Sequence, residues 1–293
     1  MKTNFWISPL FVVLWSTGFV GAKYGLPYAE PLTYLSWRFG IVLAILLAWM
    51  GFWRLRRKPV ALVPRAQWVT IAWIGALNHG GYLGAVFIAI SWGLEAGVSA
   101  LIAAGLGPIF TAFFSRWRFG ERLTASQWWG MALGLLGVAL VVWRKLQAGV
   151  GDVEGAALCV FGALCFALGA IEQRRLGVVP MASGNAIQYL SAIVVVFSGA
   201  LLLETGEIDW SIQFSFALAW QVLVLSIGAV SLYYLLLRHG AASEASSLLF
   251  LAPASAAIIA WPVFGEVLRW LEILGFAVAA LGVALVMKKI GTV

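Results

Sequence analysis

Ten runs of mostly apolar residues follow one another along the chain, and the short segments between them hold most of the charges. Each run is close to the ~20 residues that a helix needs to cross the hydrocarbon layer of a bilayer. The first run has the flanks of a signal peptide, but the further runs behind it favour an uncleaved first helix. The pattern predicts ten transmembrane helices, at residues 5–24, 32–53, 67–90, 94–115, 124–143, 153–172, 182–203, 214–237, 243–264 and 267–287.

The basic residues between these runs predict the orientation of the chain. With the N-terminus in the cytoplasm, 14 of the 19 Lys and Arg residues fall in cytoplasmic segments, 4 fall in outer segments, and Arg38 lies within the second run. Because positive charge accumulates on the cytoplasmic side of membrane proteins, this orientation is favoured. We expect a multi-pass protein of the bacterial inner membrane, embedded in lipid, with both termini in the cytoplasm.

The second half of the chain repeats the first with an offset of 145 residues. Residues 119–141 read FGERLTASQWWGMALGLLGVALV, residues 264–286 read FGEVLRWLEILGFAVAALGVALV, and the same offset relates Pro108 to Pro253. Each copy holds five runs, an odd number, so the second copy would enter the membrane from the opposite side. We predict an all-α membrane protein of ten transmembrane helices, built from two inverted-topology repeats at residues 1–147 and 148–293.

Composition supports a membrane protein and excludes several functions. Hydrophobic residues make up 62% of the chain and charged residues 11%, whereas soluble domains carry roughly 25% charge. Cys159 and Cys165 lie six positions apart on one helix and point to different faces, so they predict neither a disulfide nor a metal pair. The sequence has no nucleotide-binding P-loop, no HExxH motif and no nucleic-acid signature. We therefore expect no cofactor, no metal, no nucleic-acid partner and no enzymatic activity.

At these residues the chain resembles the drug/metabolite transporter superfamily, in its ten-helix exporter branch with two EamA-like repeats. The resemblance covers the whole chain and is closest to the amino acid exporters, including those for aromatic amino acids. It implies export of small metabolites, and it implies that helices 1, 3, 4, 6, 8 and 9 surround a central cavity. The residues that carry it are Trp15-Ser16, Lys23, Pro31, Arg38, Pro108, Phe119-Gly120-Glu121, Pro253 and Phe264-Gly265-Glu266.

The strongest candidate site is Asn78-His79-Gly80-Gly81-Tyr82, near the middle of the third run. An ionisable residue at that depth is costly, and it indicates a functional site. On an α-helix, positions 75, 79, 82 and 86 share one face, so His79 and Tyr82 would point into the same space. We predict that Asn78, His79 and Tyr82 bind substrate. In the alternative, a neutral His79 donates to a backbone carbonyl and only packs two helices together.

Other candidates are single residues. We predict that Trp15 forms an aromatic wall of the pocket and that Ser99, Tyr234 and Ser246 contribute polar groups, although small residues also serve close helix packing. Pro108 and Pro253 each remove a backbone hydrogen bond, so they predict kinks that act as gate pivots or merely as packing features. Arg38 is predicted to hold a loop carbonyl or carboxylate; the alternative, substrate binding, is less favoured because Arg38 lies far from the midplane. Glu121 and Glu266 are predicted to favour the N-terminus of the helix that follows each of them.

These expectations combine into one functional hypothesis. We expect a monomeric secondary transporter that exports amino acids or related small metabolites by alternating access. A zwitterionic or neutral solute is favoured because few charges lie along the predicted route. The alternatives are export of amphipathic drugs or other metabolites, a channel, and a membrane-embedded enzyme that modifies lipid.

Overall fold

The structure, a computed structural model, describes residues 7–120, 123–147, 153–177, 179–232, 251–266 and 269–287. These residues form ten helices and no β-strand; Ala29 and Ile208 make an isolated bridge between two loops. Each helix overlaps one of the ten predicted runs. In chain order the helices are α1 Ile7–Gly25, α2 Pro31–Leu55, α3 Arg65–Ser91, α4 Ala96–Phe119, α5 Ala125–Gln147, α6 Val153–Leu176, α7 Met181–Leu203, α8 Ile212–Leu232, α9 Ala252–Phe264 and α10 Trp270–Met287.

The apolar helices identify the solvent of this protein. Within the described ranges, α2, α3, α4, α6, α7 and α8 are long and apolar enough to cross a membrane, and α5, α9 and α10 contain shorter apolar stretches. Large apolar side chains point outward, among them Trp49, Leu201 and Leu202, the last of which is 82% exposed. Such faces would be unfavourable in water but match the interior of a bilayer. The prediction of an all-α membrane protein is confirmed.

Contacts between α1–α5 and α6–α10 come in matched pairs. Helix α4 packs on α6 as α9 packs on α1; α3 packs on α6 as α8 packs on α1; and α3 packs on α7 as α8 packs on α2. Other large contacts join helices at equal places in the two halves, namely α2 with α7, α4 with α9, and α5 with α10. Exchanging the two sets of five helices leaves these contacts unchanged, whereas α4 also packs on α10 without a matching large contact of α9 with α5 among the described residues.

The contact between α5 and α10 is made by glycines of the repeated sequence. A Cβ on Gly137 would clash with the backbone of Ala279 and the carbonyl oxygen of Gly275, and a Cβ on Gly282 would clash with the backbone of Gly134 and the carbonyl oxygen of Gly130. Only glycine permits backbones to approach so closely in a membrane. Earlier residues of α5 contact later residues of α10, and later residues of α5 contact earlier residues of α10. The two helices therefore run antiparallel.

The repeated Phe-Gly-Glu motifs form equivalent turns. Gly120 ends α4 with φ 68° and Gly265 ends α9 with φ 70°, both in the left-handed region. A side chain is strained there, which explains glycine at both positions.

Two carboxylates join the ends of α2 and α7. Glu204, just after α7, accepts hydrogen bonds from the backbone N–H groups of Leu32 and Thr33 at the start of α2, each at 2.7 Å. Glu30 in turn accepts from the N–H groups of Thr205 at 2.8 Å and Gly206 at 2.9 Å. A carboxylate at a helix N-terminus satisfies otherwise unpaired donors and interacts favourably with the helix dipole. These bonds hold the two helices in register.

Candidate functional site

A cavity of about 510 Å³ lies between the two halves. Its lining residues come from α1, α2 and α3 of the first half and from α6, α7 and α8 of the second. The expectation that α4 and α9 also border it is wrong for their described residues. Their small side chains instead face neighbouring helices, with Gly97 of α4 against Ala257 of α9 and Gly107 against Phe166 of α6.

A π-helical segment places the predicted motif of α3 at the cavity. Residues Ala76–Leu83 form this segment, which interrupts an otherwise α-helical element. Because a π-helix has a wider turn, the side chains on its inner face differ from those expected on an α-helix, and such segments are frequent at functional sites. Asn78, His79 and Tyr82 all line the cavity, as predicted. Gly75 does not, because it lies against the backbone of Gln188 in α7.

His79 lies in a cluster of rings on the cavity wall. Its imidazole stacks on Tyr189 of α7, with ring centroids 4.7 Å apart and planes inclined by 20°. The Phe39 ring of α2 is 5.9 Å away, and the Gln188 side chain also interacts with the imidazole. Among the described residues His79 donates to no backbone carbonyl. The imidazole is thus held by side chains at the cavity surface, where a bound molecule would meet its nitrogens.

Trp15 and Tyr82 supply aromatic surface to the cavity. Trp15 lies on α1, with its ring 5.5 Å from that of Phe11. Tyr82 packs on Phe166 of α6 at 5.1 Å, which fixes the orientation of its ring. Rings held in this way offer a rigid apolar wall to a bound side chain.

Asn78 lies where α3 and α6 approach each other. Its amide group lies against Gly169 of α6, and its oxygen is buried without a hydrogen-bond partner among the described residues. The rest of the side chain lines the cavity. An unpaired buried acceptor is costly, so a donor at this point would stabilise the wall.

Arg38 is a cavity residue that the sequence analysis assigned to a different role. It lies on α2, is only 7% exposed, and lines the cavity. Its Nε donates to the Ser226 hydroxyl of α8 at 3.1 Å, and its guanidinium lies 5.8 Å from the Phe39 ring centroid. No described carboxylate pairs with it, and no described loop carbonyl accepts from it. The predicted role as a loop anchor is therefore wrong, because Arg38 faces inward across the two halves.

Further polar groups from the second half complete the wall. Gln173 of α6 and Gln188 of α7 line the cavity and share a 3.4 Å hydrogen bond, and Asn185 and Tyr189 lie beside them. The sequence analysis missed these residues. The sequence did contain a signal for the amide residues among them, because amide side chains are uncommon in apolar runs and costly to bury in lipid. Ser226 was equally detectable, and it belongs to a second π-helical segment, Trp220–Ala229.

The remaining predicted residues are not brought together at the cavity. Ser99 is fully buried in the first turn of α4, next to Cys159 of α6, and does not line the cavity. Pro108 lies inside α4, and Pro253 lies in the first turn of the described part of α9. Tyr234 and Ser246 lie outside the described residues.

The two ends of the cavity differ. At one end it reaches Arg174 and Gly177, which are exposed where α6 ends. At the other end an ion pair lies across the helices, where Lys23 of α1 is 2.5 Å from Glu266, just after α9. Glu266 also accepts from the N–H of Ala96 at the start of α4, at 3.2 Å. Glu266 therefore stabilises the N-terminus of α4. Its predicted role at the following helix stays a prediction, because residues 267 and 268 lie outside the described residues.

The two ends of the cavity also carry a matched pair of cation–ring contacts. Lys23 lies 5.1 Å from the Phe264 ring at the end with the ion pair, and Arg174 lies 4.7 Å from the Phe119 ring at the other end. Phe119 and Phe264 are the equivalent residues of the two Phe-Gly-Glu motifs. Helix α4 extends from one end to the other with 24 residues, about 36 Å at the α-helical rise.

Comparison with known proteins identifies the family. The EamA-like transporter family model matches the chain twice, over residues 4–143 and 153–288. The chain therefore belongs to the EamA-like transporter family, and it is a membrane transporter of small molecules and not an enzyme. The resemblance inferred from the sequence motifs is confirmed.

Individual relatives agree with this assignment. The chain is 28% identical to the uncharacterized inner membrane transporter YedA of Escherichia coli K12, over 94% of this chain and 87% of the relative. It is 27% identical to a probable terminal-alkyne amino-acid exporter of Streptantibioticus cattleyicolor, over 97% and 93%. A probable amino-acid metabolite efflux pump of Salmonella typhimurium is 28% identical over 57% and 52%.

A solved structure has the same fold. One crystal structure matches with a TM-score of 0.65 over 96% of this chain and 94% of the other, at 20% sequence identity.

Proposed function

We propose that this transporter exports amino acids or related small metabolites across the bacterial inner membrane by alternating access. The observation that carries the proposal is the cavity of about 510 Å³ between the halves, lined by Trp15, Asn78, His79 and Tyr82. It combines a few polar groups with apolar walls, as small-molecule sites do. The names of two relatives, an amino-acid exporter and an amino-acid metabolite efflux pump, support this substrate class.

The proposal includes two inverted repeats, residues 1–147 and 148–293, with ten membrane crossings. The matched contacts between the halves support it, since a two-fold axis generates reciprocal contacts of this kind. The reciprocal glycines of α5 and α10 support it further, because helices at equal places in the two repeats run antiparallel. With an odd number of crossings in each repeat, that arrangement requires opposite insertion.

The difference between the two ends of the cavity supports alternating access. The count of basic residues puts Arg174 and Gly177 on the cytoplasmic side and Lys23 and Glu266 on the periplasmic side, with both termini cytoplasmic. The structure then corresponds to an inward-open state closed by the Lys23–Glu266 pair. If the two repeats exchanged conformations, the periplasmic end would open and the cytoplasmic end, around Phe119, would close.

Within the cavity we assign different roles to its two kinds of residue. His79 and Asn78 would bind the polar group of the substrate, since imidazole and amide groups both donate and accept hydrogen bonds. Trp15 and Tyr82 would contact its side chain. Ser99 is retained only as a packing residue of α4 and α6. We further propose that a monomer suffices, because the cavity is lined by residues of one chain.

A counterflow assay tests the proposal. Purified protein in proteoliposomes is preloaded with each of the amino acids, with N-acylated and 2-oxo acid derivatives, or with amphipathic drugs, and uptake of the labelled compound is followed. A carrier gives saturable, transient accumulation that depends on the internal solute. Empty liposomes and Glu172→Gln, a partly exposed position on α6 that does not line the cavity, are the controls.

The outcomes separate the candidate functions. Counterflow of amino acids or their derivatives supports the proposal, and counterflow of drugs alone would replace its substrate class. Unsaturable flux without counterflow would indicate a channel. Chemical conversion of the solute would contradict a transporter altogether.

A further inference from the structure

Arg38 is a buried cation whose charge is balanced by no described acidic side chain. The residue is 7% exposed, and among the described residues its guanidinium makes one hydrogen bond, from Nε to Ser226. The ion pairs among the described residues are Lys23–Glu266 and Arg175–Glu172, so neither involves Arg38. Placing a cation in a weakly polar interior without a counter-charge is costly, and such residues persist where function requires them.

The rest of the cavity does not provide the missing negative charge. Its described lining residues include two arginines, Arg38 and Arg174, and no aspartate or glutamate. The other polar groups are neutral amides, hydroxyls and the imidazole of His79. In a cavity bounded by apolar helices such charges act over longer distances than in water. The electrostatic potential of the described wall therefore favours an anion.

The geometry of Arg38 suggests how an anion would bind. Ser226 holds Nε, which fixes the guanidinium plane, and the two terminal nitrogens have no hydrogen-bond partner among the described residues. Two parallel N–H groups match the two oxygens of a carboxylate, the most specific arrangement that an arginine offers. The aromatic groups of Trp15 and Tyr82 lie on the same cavity and can accept an apolar substituent.

We propose that Arg38 binds the carboxylate of the substrate, and that the preferred substrates are monoanionic carboxylic acids without a free ammonium group. N-acylated amino acids and 2-oxo acids belong to this class. A zwitterionic amino acid carries an ammonium that meets no described carboxylate on the wall and is repelled by Arg38. This inference rests on the proposed export function and makes its substrate class more specific.

The test compares compounds that share a side chain and differ in the charge of their amino and carboxyl groups. N-acetyl-phenylalanine is an anion at neutral pH, phenylalanine is a zwitterion and phenylalaninamide is a cation, and the alanine and leucine series repeat the comparison with smaller side chains. Competition against labelled N-acetyl-phenylalanine counterflow gives the relative affinities of the wild-type protein. We expect the anion to bind about 10- to 100-fold more tightly than the zwitterion, and the cation to bind weakest.

Variants then test whether Arg38 carries this preference. Arg38→Gln should weaken binding of the anion about 10- to 100-fold and leave the cation unchanged or slightly improved. Arg38→Lys keeps the charge but lacks the planar pair of N–H groups. Its affinity for the anion should therefore lie between that of the wild type and that of Arg38→Gln. Arg175→Gln is the matched control, because Arg175 is exposed on α6 and does not line the cavity.

Each outcome decides a different point. A wild-type preference for zwitterions, or equal binding of all three charge types, would overturn the inference while leaving amino acid export intact. An anion preference that survives in both Arg38 variants would assign the carboxylate to another residue. If none of the compounds exchanges although the protein transports another class of solute, the proposed function fails and the inference fails with it. The comparison within wild-type protein remains informative if Arg38→Gln does not fold.

Discussion

Removal of the Lys23–Glu266 ion pair should open the periplasmic end of the transporter. The Glu266 side chain is 7% exposed and accepts hydrogen bonds from Lys23 at 2.5 Å and from the Ala96 N–H at 3.2 Å. These contacts join α1, α4 and α9, the helices whose ends must separate if that end is to open. In the alternating-access mechanism that we propose, they would stabilise the inward-open state and be broken in the outward-open one.

The size of the effect follows from these contacts. A hydrogen bond to a charged group contributes about 1.5–3 kcal/mol, and the 26% exposure of the Lys23 side chain reduces its part of this. Glu266→Gln keeps the shape but loses the charge, so we expect a loss of about 1–3 kcal/mol from the closed end. That shifts the equilibrium between the two states about 5- to 150-fold toward the outward-open form.

Cysteine accessibility measures this shift. Ala22 is fully buried and lines the cavity on α1, near Lys23. Ala22→Cys is placed in a Cys159→Ala, Cys165→Ala background, and labelling by a membrane-impermeant thiol reagent is followed from the periplasmic side. We expect the labelling rate to rise in Glu266→Gln in proportion to the open population. Glu172→Gln breaks the 3.7 Å pair with the exposed Arg175 on α6 and should leave the rate unchanged.

A double-mutant cycle completes the test. If Lys23 and Glu266 act as a pair, Lys23→Gln combined with Glu266→Gln should label little faster than either single variant. Additive effects would mean that the two residues act separately. Unchanged labelling in Glu266→Gln would refute the assignment of this contact as the periplasmic closure.

Three further predictions concern the cavity, the helix breaks and the topology. His79→Ala should weaken substrate binding about 5- to 150-fold in counterflow competition, whereas a lower melting temperature with normal affinity would make His79 a packing residue. Pro108→Ala and Pro253→Ala should change the transport rate more than the affinity if these positions are gate pivots, and unaltered rates in both would leave them as packing features. Reporter fusions should place both termini in the cytoplasm, and a periplasmic signal at Val293 would contradict the inverted repeats.

The helices of this protein could be predicted closely because a membrane imposes their length and composition directly. The observed α3, Arg65–Ser91, differs from the predicted 67–90 by two residues at one end and one at the other. The turns at the two Phe-Gly-Glu motifs could also be predicted from the sequence, because Gly120 and Gly265 take a left-handed conformation that strongly favours glycine. The ten crossings and the inverted repeats stay predictions that the contacts support.

The sequence analysis missed partners that are distant in sequence. Arg38 bonds with Ser226, and Glu266 bonds with Ala96, across 188 and 170 positions respectively. Local reasoning assigned Arg38 to a loop and Glu266 to the next helix, because those were the nearest partners available. The π-helical segment of α3 was also missed, since a wider turn has no compositional signal beyond Gly80 and Gly81. Only the packed helices determine where such groups lie.

The two halves of the chain are alike where helices pack against each other and differ where residues line the cavity. The difference in available space at the two kinds of position explains both observations. Where α5 meets α10, a single added methyl group on Gly137 or Gly282 would overlap backbone atoms, so these positions tolerate no change in either repeat. Side chains that face the cavity, in contrast, meet open space and not the backbone of another helix. Both α3 and α8 contain a π-helical segment, yet α3 carries His79 and Tyr82 there and α8 carries Ser226. Exchange between inward and outward states requires equivalent packing in the two halves, whereas recognition of one asymmetric solute requires that the cavity walls differ. Duplication followed by divergence only at the cavity satisfies both requirements.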